Sequence, residues 1–330
     1  MDGARRQWLR QSAAAAAGAL LGAPGLTGCA SNAPLTVACH PWQGYAPIRL
    51  AHSLGWWDDG AVRPLATGSA SESRQALQAG RAQAAALTLD EVLTASAEGL
   101  ALHVVGLFNL SHGADVVLAR PGYTAASRWP GARVGYEAGA VGTLTAQSWL
   151  EQAGLRWRDV VAVTVPFDLH ETVWRNGAVD LLVTFEPLAT RLRRLGAVTL
   201  YDSSQLPPER PIVDVLAVRD DALPRHRAAL RRLLADVLAA QQHLLNLPVD
   251  SAYRLAPWLG LSRDEVPTAF AGLRLTRWED QRAWLVGTPP QLLVAARALA
   301  RFLHGAGLRA HGHVPDDLVD ARLLPLEAPT

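Results

Sequence analysis

The chain reads as an α/β protein of two lobes joined by two crossing strands, with a ligand cleft between the lobes. Three observations predict this. Short apolar runs of strand length alternate with helix-period segments from Leu35 to Tyr201, the order that parallel pairing requires. A composition break at Pro121-Gly122 separates two such series. An apolar run from Ile212 to Val218, with Asp214 inside it, then leads the chain back. A chain that leaves one lobe near Ala119 and returns near Val213 crosses twice, which suits closure about a hinge. The first lobe is therefore expected from residues 35–119 and 214–330, and the second from 120–213.

At 330 residues and 49% hydrophobic content the chain can bury one large core or two smaller ones. All of its basic side chains other than histidine are arginine. The lack of lysine removes Schiff-base catalysis and a Walker-type phosphate loop. Setting residues 1–28 aside takes away Asp2, Arg5, Arg6 and Arg10 and leaves arginines and acids near balance. That balance makes no electrostatic case for nucleic acid or for polybasic membrane binding.

Residues 1–28 have the parts of an export signal: Arg5 and Arg6, an apolar Ala/Gly/Leu stretch from Ala13 to Leu26, and a small-residue end. Arg5-Arg6-Gln7-Trp8-Leu9 resembles a twin-arginine signal, and Leu26-Thr27-Gly28-Cys29 a lipoprotein processing box. The apolar stretch is short for a membrane span and contains Pro24. Cys29 would become the lipid-bearing first residue, and residues 29–34 a tether. Cys39 is then left alone, a buried strand thiol without a disulfide or zinc partner.

The first strand is Leu35–Cys39. Pro47 suits the first turn of the helix that follows. Further strands are expected at 62–67, 84–87, 102–108 and 115–119. Ser71 or Ser73 caps one intervening helix and Asp90 opens another. In the second lobe, strands at 160–165, 180–185 and 197–201 alternate with helices at 168–176 and 187–195. Asp168 and Glu171 have capping-box spacing. Helices at 227–245, 263–272 and 291–303 complete the chain.

The stretch from Arg133 to Gly154 organises the rest. A strand ends near Tyr136, three glycines (Gly135, Gly139, Gly142) loosen the turn, and a helix follows with Leu144, Trp149, Leu150 and Ala153 on its buried face. Such a turn is either an ordinary strand-to-helix connection or an anion site. In the second case Gly139, Val141, Gly142 and Thr143 offer backbone N–H groups at the positive end of a helix dipole.

Other candidates lie at the carboxyl ends of strands, where α/β folds place ligand contacts. Trp42 and Tyr45 follow the first strand and can stack on a ligand or pack a rim. Thr88 and Asp90 follow the third. Asp115 and Asp214 sit at the two crossings, and carboxylates inside apolar strands need an arginine, a ligand cation or an N–H group. Glu186, between Phe185 and Pro187, contacts the cleft or stabilises a helix start. No catalytic residue, cofactor or metal is expected. The His304, His311 and His313 group is a terminal, glycine-rich tract and not a metal cage.

These residues carry a family likeness. His40-Pro41-Trp42-Gln43-Gly44-Tyr45, Ala85-Ala86-Leu87-Thr88-Leu89-Asp90-Glu91, Gly113-Ala114-Asp115, Val183-Thr184-Phe185-Glu186-Pro187 and Val213-Asp214-Val215-Leu216 resemble solute-binding proteins of ABC importers. The subgroup is the nitrate/sulfonate/taurine type, related to thiamine-precursor-synthesis-like proteins, and the likeness runs from about Leu35 to Leu303. It implies a periplasmic-binding-protein type II fold, a monomer, and a small-molecule ligand held in the cleft. It also implies closure that presents a surface to a membrane permease and its ATPase. With the export signal, the expected place is outside the cytoplasmic membrane on a lipid anchor. The arginine clusters of a dedicated nitrate or sulfate site are not evident in the motif loops. The expected ligand is therefore a small organic molecule, zwitterionic or amine-bearing, a sulfonate or carboxylate, or a heterocycle, with an acidic end on the backbone of 139–143 and a basic end on Asp90, Asp115, Glu186 and Asp214. A pyrimidine using the same carboxylates is the rival. An enzyme of thiamine-pyrimidine synthesis and a ligand-sensing receptor domain are the competing functions.

Overall fold

In the computed structural model the described residues are 33–328, so the export signal, the processing box and Cys29 lie outside them. Along the chain, β1 (Leu35–Cys39), α1 (Ala46–Ser53), β2 (Val62–Ala66), α2 (Ala70–Gln78), β3 (Ala84–Thr88), α3 (Leu89–Ala97) and β4 (Leu102–Ser111) come first. Then follow β5 (Asp115–Ala119), β6 (Arg133–Tyr136), α4 (Val141–Gln152), β7 (Val161–Thr164), α5 (His170–Arg175), β8 (Leu181–Phe185), α6 (Leu188–Arg194) and β9 (Val198–Asp202). The chain ends with β10 (Ile212–Arg219), α7 (Leu223–Asn246), α8 (Pro248–Leu259), α9 (Val266–Ala269), β11 (Leu273–Leu275), α10 (Trp278–Leu285) and α11 (Gln291–Gly305).

The strands form two sheets, ordered β11-β4-β10-β3-β1-β2 and β7-β6-β8-β5-β9. β1, β3, β5 and β8 are buried along their whole length. Helices cover both faces of such strands, which is why these runs are continuously apolar and do not alternate. β1 pairs in parallel with β2 and β3, while β10 runs antiparallel to β3 and β4.

One boundary differs from the sequence reading. β5, expected to close the first lobe, pairs antiparallel with β8 and β9 in the second sheet. The first crossing is therefore at residues 112–114, where Gly113 takes φ +115°. The apolar run Val116 to Ala119 suits a position between two strands as well as an edge position in the other sheet, so composition did not place it. The two crossings are tied together: the Ser203 hydroxyl accepts from the Gly113 amide at 2.7 Å and lies 2.8 Å from the Ser111 hydroxyl.

Local signals also shifted. Ser69, not Ser71 or Ser73, caps α2, accepting from the Glu72 amide at 3.2 Å. Thr88, not Asp90, holds the cap position of α3. Glu171 does not close a capping box but pairs with Arg175 at 2.7 Å and Arg191 at 3.3 Å. The helix expected over 263–272 is a 3₁₀ turn and the four-residue α9. Gly272, at φ +82°, then opens the short strand β11. On α7, Leu230, Leu233, Leu234 and Val237 form the buried stripe expected of an amphipathic helix. Gly106 in β4 lets this stripe approach, since an added Cβ would fall 2.4 Å from Leu234 Cδ2.

Candidate functional site

The ends of β6 and β8, the start of β5 and the first turn of α3 converge on a small cavity. It is lined by Glu91, Asp115, Glu137, Gly142, His170 and Phe185 among others, and has a volume of about 10 Å³. That is room for about one water molecule. The walls come from the second sheet with its helices and turns, closed from the first sheet's side by Glu91 of α3.

Carboxyl groups dominate it. Asp115 is 3% exposed, and its Oδ2 has no hydrogen-bond partner among the described residues. Burial pushes its pKa up to about 8, and the nearby charges of Asp214 and Asp90 add to the shift. Asp90, equally buried, is pushed up to about 6 by burial, and its Oδ1 likewise has no partner among the described residues. Glu91 is held well above the usual carboxylate range by burial and by the charge of Asp90 beside it. Its Oε2 accepts from the Thr88 amide at 2.9 Å, and its Oε1 from the Val141 amide at 3.3 Å.

Asp214, fully buried, is already engaged. Trp42 Nε1 donates to its Oδ2 at 2.8 Å, and the Tyr45 hydroxyl donates to its Oδ1 at 2.7 Å. Burial nevertheless raises its pKa to about 7. Trp42 and Tyr45 thus act as donors to a carboxyl group instead of forming an open stacking face. The Trp42 ring meets Phe185 edge-on at 5.0 Å, and Phe185 stacks on Phe167 at 4.2 Å. These aromatic contacts join the first sheet's loop to the second sheet's strand end.

The turn at 139–143 is also engaged. Val141 gives its amide to Glu91, and Gly139 donates its amide to the Thr143 hydroxyl at 3.0 Å. Arg74 donates to the Gly139 carbonyl, and Gly142 packs on the Glu137 backbone. Glu186 faces elsewhere: it pairs with Arg193 at 2.6 Å and accepts from the Thr190 amide at 2.9 Å, stabilising the start of α6. Of the sequence candidates, Thr88, Asp90, Asp115, Val141, Gly142 and Asp214 gather at the cleft with the two aromatics, and Glu186 does not.

Several residues at the site were not singled out from the sequence. Glu137 accepts from the Ser71 amide at 2.9 Å. His170 sits between Thr184 Oγ1 at 3.2 Å and the Val165 carbonyl at 3.1 Å, and burial lowers its pKa to about 4. His40 is lowered to about 3 by burial, so both rings are neutral. Gln43 and Asn109 are fully buried amides without partners among the described residues. Gly44 makes room for Asn109 and Trp42: an added Cβ would fall 2.3 Å from both Asn109 Nδ2 and Trp42 Nε1. Two signals were available in the sequence. Glu91 lies three residues after Thr88, the capping-box spacing, and Gln43 shares the loop of Trp42.

Known proteins share this architecture. The alkanesulfonate-binding protein SsuA from Xanthomonas axonopodis pv. citri, solved bound to MOPS, is 17% identical, with a TM-score of 0.71 over 88% of this chain and 98% of that one. The periplasmic aliphatic sulphonate binding protein SsuA from Escherichia coli is also 17% identical, with a TM-score of 0.67 over 88% and 96%. The periplasmic nitrate-binding protein NrtA from Synechocystis PCC 6803 is 14% identical, with a TM-score of 0.66 over 82% and 80%. At these identities the likeness is one of fold. No match was found among curated proteins. The model of the NMT1-like family matches residues 29–259, a span that takes in most of the chain and every residue of the cleft described above. The chain belongs to the NMT1-like family.

Proposed function

We propose that the chain is an extracytoplasmic solute-binding protein that delivers a small organic solute to an ABC importer, binding it without chemistry. The observation that carries this reading is Asp115, a buried carboxyl group that lines the cavity with an oxygen lacking a partner among the described residues, beside the equally buried Asp90. Buried acids of this kind accept from a ligand ammonium, amidine or ring N–H. The ligand is thus a small molecule with a basic or N–H-bearing end. The neutral or cationic heterocycle gains over the zwitterion because Glu91 takes the Val141 amide that a ligand's acidic end would need. The lobes that close on it are residues 35–111 with 212–330, and 115–202. The two neutral histidines add apolar and hydrogen-bonding surface. The neighbours' printed descriptions as binding proteins favour import over synthesis. Cys29 anchors the mature protein by lipid outside the cytoplasmic membrane, and the permease with its ATPase is the partner.

The test is a thermal-shift screen of amines, amidines, pyrimidines, zwitterions, sulfonates and carboxylates. A true ligand at 100 times its dissociation constant stabilises the protein by about 2.7 kcal/mol. Asp115→Asn is expected to abolish that shift for the hit while the protein stays folded. If sulfonates or carboxylates stabilise it and no N–H-bearing compound does, the ligand assignment is wrong.

A further inference from the structure

Two helix starts, those of α2 and α4, are each occupied by a glutamate from the other sheet's side. Glu91, on α3 beside the first sheet, accepts from the amide of Val141, the first residue of α4. Glu137, after β6 in the second sheet, accepts from the amide of Ser71 in the first turn of α2. Both glutamates are nearly fully buried, at 1% and 4% exposure. A helix start carries unpaired N–H groups and roughly half a positive charge, and readily takes a carboxylate, sulfonate or phosphate. Here the chain's own carboxyl groups take that place.

The glycines of the turn serve the same exchange. A Cβ on Gly139 would lie 2.8 Å from Arg74 Nη1, and one on Gly142 would lie 3.0 Å from the Glu137 amide nitrogen. Arg74 in turn spends its guanidinium on the Gly139 carbonyl and on Glu98 at 2.8 Å. Asp115, whose Oδ2 has no partner among the described residues, adds an acceptor to the cavity that Glu91 and Glu137 line.

We propose that Glu91 and Glu137 set the specificity of this cleft against anionic solutes, by filling from within the helix ends at which an anion would bind. The inference rests on the solute-binding reading above. It makes the glycine-rich turn a seat for the protein's own carboxyl groups and turns the site toward donors and cations.

The experiment titrates ethanesulfonate, a plain anion, by calorimetry at low salt into the parent, Glu91→Ala, Glu137→Ala and the double variant. Circular dichroism and melting establish that each is folded. The parent is expected to bind more weakly than about 10 mM, and the double variant at least roughly tenfold more tightly. Added salt should weaken the gain. If the double variant does not fold, the two single variants carry the same comparison. A parent that binds ethanesulfonate as well as the variants do, or folded variants that gain nothing, overturns the proposal. Its failure is separable from that of the solute-binding reading. A parent that is stabilised by N–H-bearing compounds while the variants gain no anion binding sinks only the specificity claim. A parent that responds to nothing in the screen sinks the binding reading.

Discussion

Asp115 links stability to pH through its burial. Its carboxyl titrates near 8 in the folded chain and near its ordinary value of 3.8 once unfolded. A raised folded pKa contributes stability that is complete below the unfolded value and is lost as pH rises through the folded one. Asp214, at about 7, and Asp90, at about 6, act in the same direction. His40 and His170 have lowered values, so their effect has the opposite sign and is complete once pH exceeds about 6.5. Between pH 7 and 8.5 the melting temperature of the protein is therefore expected to fall. Asp115→Asn should flatten this slope and raise the melting temperature at pH 8.5, which a fluorimetric melt over a pH series reads directly. A variant with the parent's slope would show that Asp115 does not titrate in this window. At this site the sequence named Trp42, Tyr45 and Asp214 as important but could not show that they bond to one another. The partners are 172 and 169 positions apart, and only β10 lying beside β3 and β4 brings them within reach.

Helix α4 and its turn were legible because a strand, three glycines and an apolar face follow in register. Their role was less so. A helix start exposes N–H groups whatever occupies it, and Glu91 is 50 positions away from Val141. Gly142→Ala tests the packing reading of the turn. Its Cβ would press on the Glu137 amide nitrogen at 3.0 Å and carbonyl oxygen at 3.2 Å, and backbone yields little. A loss of about 1–3 kcal/mol in urea denaturation is expected. A neutral substitution would mean that the turn has slack. Near the carboxyl terminus, α8 and α10 were not foreseen, and the run at 263–272 was read as one helix. Pro257 inside α8 blurs the helical period, and the three residues of β11 become a strand only by pairing with β4.

The cross-cleft bonds of Glu91, Glu137 and Arg74 use protein atoms alone, so they bias the two sheets toward each other before any solute arrives. Each such hydrogen bond contributes on the order of 0.5–1.5 kcal/mol, enough to shift a closing equilibrium several-fold. The double variant Arg74→Ala/Glu137→Ala is expected to show a larger radius of gyration than the parent in solution scattering without added solute. Equal radii would mean that these bonds do not hold the cleft. The two crossings, bonded through Gly113 and Ser203, are the only chain connections between the two sheets among the described residues.

Periodicity and composition alone determined the α/β class, the alternation of strands and helices, and the strand ends at which a site would form. Continuous burial and amphipathic faces are written in local runs of side chains, and the family motifs lie in the strands β3, β8 and β10 and in the loops beside them. Folding in three dimensions decided the partners. It moved β5 into the second sheet, turned Glu186 toward Arg193, joined Trp42 and Tyr45 to Asp214, and set Glu91 on the start of α4 and Glu137 on the start of α2. A buried carboxyl group takes whichever donor the packing of distant elements brings to it, and local sequence carries no record of that distance.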